Sequence, residues 1–114
     1  DVTLPLAELA AFVEDVPEVV RTVAPEAHCW LFGHVGDGNV HVNVTGLAPD
    51  DERVDDALLS LVVALGGSTS AEHGIGTAKR RWLPLQRSAA ELDTFRAIKA
   101  AFDPTGILNP RVLV

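Results

Sequence analysis

Apolar residues recur at helical spacing over Leu6, Leu9, Phe12, Val13, Val16, Val19, Val20 and Val23, the stripe of a helix that buries one side. Pro17 interrupts the stripe, so a kink or two short helices are expected there. Ahead of it, Val2-Thr3-Leu4 is short and β-prone, and Pro5 ends it. Pro25-Glu26 breaks the helical pattern on the other side. His28 to Phe32 and Val40 to Thr45 then read as two strands, and Gly46 to Asp50 as a loop. Asp50 is the expected N-cap of a second helix through Ala57, Leu58, Leu61, Val62 and Leu65, which Gly66-Gly67 stops. The stretch "GSTSAEHGIGTAK" has no hydrophobic period and reads as a loop. Ser88-Ala89-Ala90-Glu91 is a capping-box pattern. The helix it opens carries Leu92, Phe95, Ile98, Lys99 and Phe102 along one side and ends at Asp103-Pro104. The tail "TGILNPRVLV" is extended and apolar. The order β-α-β-β-α-loop-α, without repeat or linker, predicts one α+β domain over residues 1–114.

Asp37-Gly38 between two apolar-rich runs is a two-residue hairpin signal. With these residues at the turn, Gly36 pairs with Asn39, Val35 with Val40, and His34 with His41. Gly33 then pairs with Val42, Phe32 with Asn43, and Leu31 with Val44. Paired residues share a face, and faces alternate along a strand. One face is therefore Leu31, Gly33, Val35, Val40, Val42 and Val44, a core face. The other carries His34, His41 and Asn43, with Phe32 and Trp30 further out. Opposed Cβ atoms lie about 4.5–5.5 Å apart, close enough for two imidazoles to share one metal ion. The residues alone admit two readings, a pair of surface histidines or an incomplete metal site that needs a third ligand.

"SAEHGIGTAK" offers that third ligand. Glu72 and His73 are adjacent in an irregular loop, where neighbouring side chains can enter one pocket from different angles. A carboxylate completes a two-histidine set suited to a divalent cation with open positions. His73, left free beside it, suits a general base. The alternative is a polar surface loop with a chance Glu-His pair. Gly74-x-Gly76-x-x-Lys79 lacks the spacing of a nucleotide-phosphate loop. Lys79-Arg80-Arg81 is a local positive patch, read either as an attractor for an anion or as a solvated helix face over Trp82 and Leu83. His28 reads as structural and Cys29 as a core residue.

Composition narrows the classes. The chain has 114 residues, 47% of them hydrophobic, which supports a packed core rather than disorder. A formal charge of −7 argues against nucleic acid or an anionic membrane as the main partner. The single cysteine cannot form an intramolecular disulfide and fits a reducing compartment, so a cytoplasmic location is expected. The start, Asp1-Val2-Thr3, has no signal-peptide character, and no run is long and apolar enough for a transmembrane segment. The chain has no initiator Met and no Met or Tyr at all, as expected of a piece of a longer protein.

Three motifs in order, "FGHVGDGNVHVNV", "SAEHGIGTAK" and "FDPTGILNP", resemble the C-terminal domain of the FAD-linked oxidases over most of the chain. This is the family of glycolate oxidase subunits, D-lactate dehydrogenases and D-2-hydroxyglutarate dehydrogenases. The resemblance implies that His34, His41 and Glu72 ligate a divalent metal, zinc or manganese. It implies that His73 is the catalytic base, that Asn43 contacts substrate, and that Asn109 lies near the flavin. Ala71 departs from the pattern, where the family usually has Gly. The family's flavin-binding domain lies N-terminal to this segment, so FAD would be bound mainly by residues outside this chain. The expected architecture is ferredoxin-like, an antiparallel sheet with helices packed on one face. The expected role is part of an FAD-dependent oxidoreductase acting on a small-molecule 2-hydroxy acid, inactive by itself and, through its apolar tail, capable of self-association. Two other classes stay open on the residues, a stand-alone His/His/Glu metal hydrolase and a non-catalytic binding module.

Overall fold

The computed structural model describes residues 1–112. Its elements are β1 (Val2–Thr3), α1 (Leu9–Val23), β2 (His28–His34), β3 (Asn39–Thr45), α2 (Arg53–Ala64) and α3 (Ala89–Phe102). The strands are antiparallel, in the spatial order β1-β3-β2. After α2, Ser68 forms an isolated antiparallel bridge with Thr3 on the outer edge of β1. Thr3 N–H donates to Ser68 O at 3.0 Å and Ser68 N–H to Thr3 O at 2.7 Å. A fourth strand, reduced to one residue pair, thus completes the β-α-β-β-α-β order of a ferredoxin-like α+β fold.

Helix α1 buries Leu9, Phe12, Val16 and Val20, and Leu6 lies exposed in the turn before it. Of the two alternatives expected at Pro17, a kink or two short helices, the second does not occur: one helix runs through it. Pro17 is exposed, so its ring meets solvent, and buried side chains on both sides of it hold the helix to the core. Each such buried side chain contributes on the order of 1.5–3 kcal/mol, comparable to the cost of a proline inside a helix. The start of α2 also differs from expectation. Its N-cap is Glu52, not Asp50, and makes no side-chain cap bond; Asp51 accepts the Arg53 N–H at 3.2 Å and also holds the Arg53 guanidinium. Gly66 ends this helix at φ 72°, and the Gly66 and Gly67 N–H groups close on Val63 O and Val62 O.

The core lies on one side of the sheet. Phe12, Val16 and Val20 of α1 and Val54, Leu58, Leu59 and Val62 of α2 pack with Val2 and Val40, and Leu31, Val42, Val44 and Cys29 adjoin them. Trp82 and Leu83 are buried from a 3-10 turn over Arg80–Leu85. The capping box on α3 is formed, with Ser88 and Glu91 bonded reciprocally. Only Leu92 of that helix is buried, and Ile98 and Phe102 are exposed, as are Ile107 and Leu108 beyond it. Of the apolar tail, residues 113–114 fall outside the described residues. Among the described residues, no helix is long and apolar enough to cross a membrane.

Candidate functional site

The hairpin joins β2 and β3 in a register two residues away from the simplest one. His34 pairs with Asn39, Gly33 with Val40, Phe32 with His41, Leu31 with Val42, and Trp30 with Asn43. The turn is a 3-10 turn over Val35–Asp37 closed by Gly38 at φ 68°, instead of a two-residue turn at Asp37-Gly38. Two contacts select it. Leu4 N–H donates to Gly38 O at 2.9 Å, and a Cβ on Gly38 would lie 2.1 Å from Leu4 O. Only a glycine in the left-handed region lets β1 come this close. Val35, assigned to the core face from the sequence, is therefore in the turn and exposed. A slip of two residues, unlike a slip of one, keeps every other side chain on its face. His34, His41, Phe32, Trp30 and Asn43 remain together, opposite the helices. His34 and His41 become diagonal neighbours, with ring centroids 6.5 Å apart.

The loop after α2 brings Glu72 onto this face. Its Oε1 lies 2.8 Å from His34 Nδ1 and accepts a bond from Asn39 Nδ2 at 2.7 Å, and its Oε2 lies 3.8 Å from His41 Nε2. The Glu72 carboxyl is held below the usual carboxylate range, chiefly by the hydrogen bond with His34, with Asn39 and His41 adding to it against a desolvation penalty. His34, His41 and Glu72 each offer a ligand atom, all within 4.8 Å of one another. Two imidazole nitrogens and one carboxylate oxygen, converging from two strands and a loop, fit the donor chemistry of a divalent cation with open positions. Phe32 stacks on His41 at 5.0 Å between centroids and covers its far side.

His73 follows Glu72 on the same loop, with its ring centroid 5.2 Å from that of His41 and its side chain largely exposed. The loop is pinned by Asp1, whose Oδ2 accepts the N–H groups of Ala71, Glu72 and His73 at 2.9, 2.6 and 3.1 Å. Lys79 Nζ donates to Asp1 O, to Asp1 Oδ1 at 3.2 Å and to Thr69 O at 2.6 Å. Burial pushes the Lys79 ammonium below its ordinary range.

Lys79 thus points inward and is not part of a solvated positive patch. Arg81 pairs with Glu52 and Asp56 and lies 4.8 Å from the Trp82 ring, while Arg80 is exposed and donates to the Arg111 carbonyl at 3.3 Å. Asn43 is exposed and shares the face of His41. Asn109 sits at φ 44° in the segment after α3, its carbonyl accepting Val112 N–H, and among the described residues it does not bond to the cluster. Asn39 and Asp1 were not singled out by sequence. Asn39 could have been found by testing longer hairpin turns, which place it opposite His34. Asp1 lies 70 residues or more from the groups it holds, and no local pattern marks it.

A family model for the C-terminal domain of FAD linked oxidases matches residues 1–113. The chain is 38% identical over 120 residues to a D-2-hydroxyglutarate dehydrogenase of Stutzerimonas stutzeri, an alignment covering 96% of this chain and 25% of that protein. It is 35% identical over 116 residues to the glycolate oxidase subunit GlcD of Bacillus subtilis, covering 96% and 24%. It is 45% identical over 83 residues to the GlcD subunit of Escherichia coli, covering 68% and 17%. The chain spans about a quarter of the length of the first curated relatives it matches.

Proposed function

We propose that this chain, which belongs to the FAD linked oxidase C-terminal domain family, forms one wall of the substrate site in a flavin-dependent 2-hydroxy acid dehydrogenase. The observation that carries the reading is the convergence of His34, His41 and Glu72 with His73 beside them on an open face. The first three would hold a divalent metal, zinc or manganese. FAD would be held mainly by sequence outside this chain, with Asn109 near it. Relatives named for D-2-hydroxyglutarate and glycolate support the 2-hydroxy acid class.

When bound, the metal supplies charge stabilisation at oxygen and the flavin supplies the hydride acceptor. His73 takes the proton of the substrate hydroxyl as the carbon–hydrogen bond breaks and its electron pair leaves as hydride, so the alcohol carbon becomes a carbonyl. Asn43, exposed on the same face, hydrogen-bonds the substrate and orients it. Phe32 and Trp30 present apolar surface beside the site and limit water there. The exposed face of α3, with Ile107 and Leu108, packs on the remainder of the enzyme, and self-association is the outcome when that remainder is missing. Unpaired Cys29 suits the reducing cytoplasm as the working compartment.

The test is flavin reduction in a single turnover by the enzyme containing this chain. His73→Ala should keep flavin and metal and lose rate by about 10²–10⁴-fold. A near-native reduction rate removes His73 from the proton transfer.

A further inference from the structure

We propose that Asp1 is a positioning residue for His73, fixing both the loop that carries it and the ring nitrogen that accepts the proton. The inference rests on the reading of His73 as the base. The Asp1 side chain is 1% exposed, while that of His73 is 66% exposed. A buried carboxylate therefore stands behind an open imidazole. Its Oδ2 gathers three successive N–H groups, those of Ala71, Glu72 and His73, which fixes the backbone from which both Glu72 and His73 project. Its Oδ1 lies 3.4 Å from His73 Nδ1 and 3.2 Å from Lys79 Nζ.

The chemistry follows from what a carboxylate can do. An ionised carboxylate only accepts, so the neutral imidazole beside it carries its proton on Nδ1. The lone pair is then on Nε2, the nitrogen left to meet a substrate hydroxyl. The Asp1–His73 contact is longer than a formed hydrogen bond, as such pairs often are before substrate tightens them. Lys79 supplies the countercharge that lets the carboxylate remain buried.

Asp1→Asn separates this role from simple bracing. The amide oxygen can still accept the three N–H groups, which are a stronger demand than the single Lys79 contact. The NH2 group then faces His73 Nδ1 and forces the other tautomer, with the proton on Nε2. In the flavin-loaded enzyme containing this chain, single-turnover flavin reduction should fall by about 10²–10⁴-fold, with metal content and substrate affinity kept. Nitrogen NMR of histidine-labelled enzyme, with His73 assigned through His73→Gln, should show the proton on Nδ1 in the native protein and on Nε2 in Asp1→Asn. If Asp1→Asn matches the native enzyme in rate and tautomer while Asp1→Ala is impaired, Asp1 is only a brace and the proposal is overturned. If His73→Gln leaves the rate intact, the base reading fails and this role falls with it. The tautomer of the native protein distinguishes that failure from a failure of the Asp1 contact alone.

Discussion

Asn39→Ala should weaken metal binding while leaving all three proposed ligands in place. Asn39 is buried at 4% exposure, and its Nδ2 donates to Glu72 Oε1 at 2.7 Å. Its Oδ1 has no partner among the described residues, so removing the side chain leaves no carboxamide partner unpaired except Glu72. A hydrogen bond to a charged group contributes about 1.5–3 kcal/mol. The Glu72 side chain is 47% exposed, so water replaces part of that bond in the variant. The bond is present before any metal binds, so only its orienting effect on the carboxylate counts; losing the partner that orients a metal ligand costs roughly 10–100-fold in affinity, and the water access here sets the expected loss near the lower end, about 10-fold. Calorimetric titration of metal-free enzyme with zinc or manganese, native against Asn39→Ala, reads it directly. Unchanged affinity in Asn39→Ala, alongside a clear loss in Glu72→Ala, would refute the claim that Asn39 orients the carboxylate.

Gly38→Ala should destabilise the protein by roughly 1–3 kcal/mol for its left-handed backbone alone, with the Leu4 clash added, and should lower metal affinity because His34 and Asn39 flank the turn. Thermal unfolding and metal titration check both, and native behaviour in each would show that the turn does not set the site. The Asp103 carboxyl is held below its ordinary range by the Lys99 ammonium first, then by the Leu108 and Ile107 N–H groups. Its stabilising contribution is therefore full above the unfolded carboxyl pKa of about 4 and is lost as pH falls through the lower folded value. Hydrogen exchange at Ile107 and Leu108, corrected for intrinsic rate, should show protection disappearing over that acid range, and native protection unchanged through it, or the same pH-dependent loss in Asp103→Asn, would contradict it.

The sequence placed His34, His41 and Asn43 on one face for a reason that survives an error in the turn. Side chains alternate with period two, so moving the hairpin register by two residues kept His34, His41 and Asn43 together. The turn itself was not legible, because Gly38 is committed by Leu4, a partner from β1 that local pattern does not reveal. The two-helix alternative at Pro17 failed for the same kind of reason: a local breaker lost to tertiary packing of Phe12, Val16 and Val20. Ser88 and Glu91 were legible because both halves of a capping box lie within four residues. Glu72 and His73 were found as a pair, but the carboxylate that holds them is at the other end of the chain. The one-residue strand at Ser68 carries no pattern of its own and exists only because Thr3 pairs with it.

The most direct measurement is anomalous diffraction at the metal's absorption edge from crystals of the enzyme grown with zinc or manganese. One strong peak is expected, bonded to His34, His41 and Glu72 at about 2.0–2.2 Å from each for zinc, with His73 outside the ligand set and facing the open positions. A fully occupied metal elsewhere, or a peak ligated by His73 in place of one of the three, would contradict it.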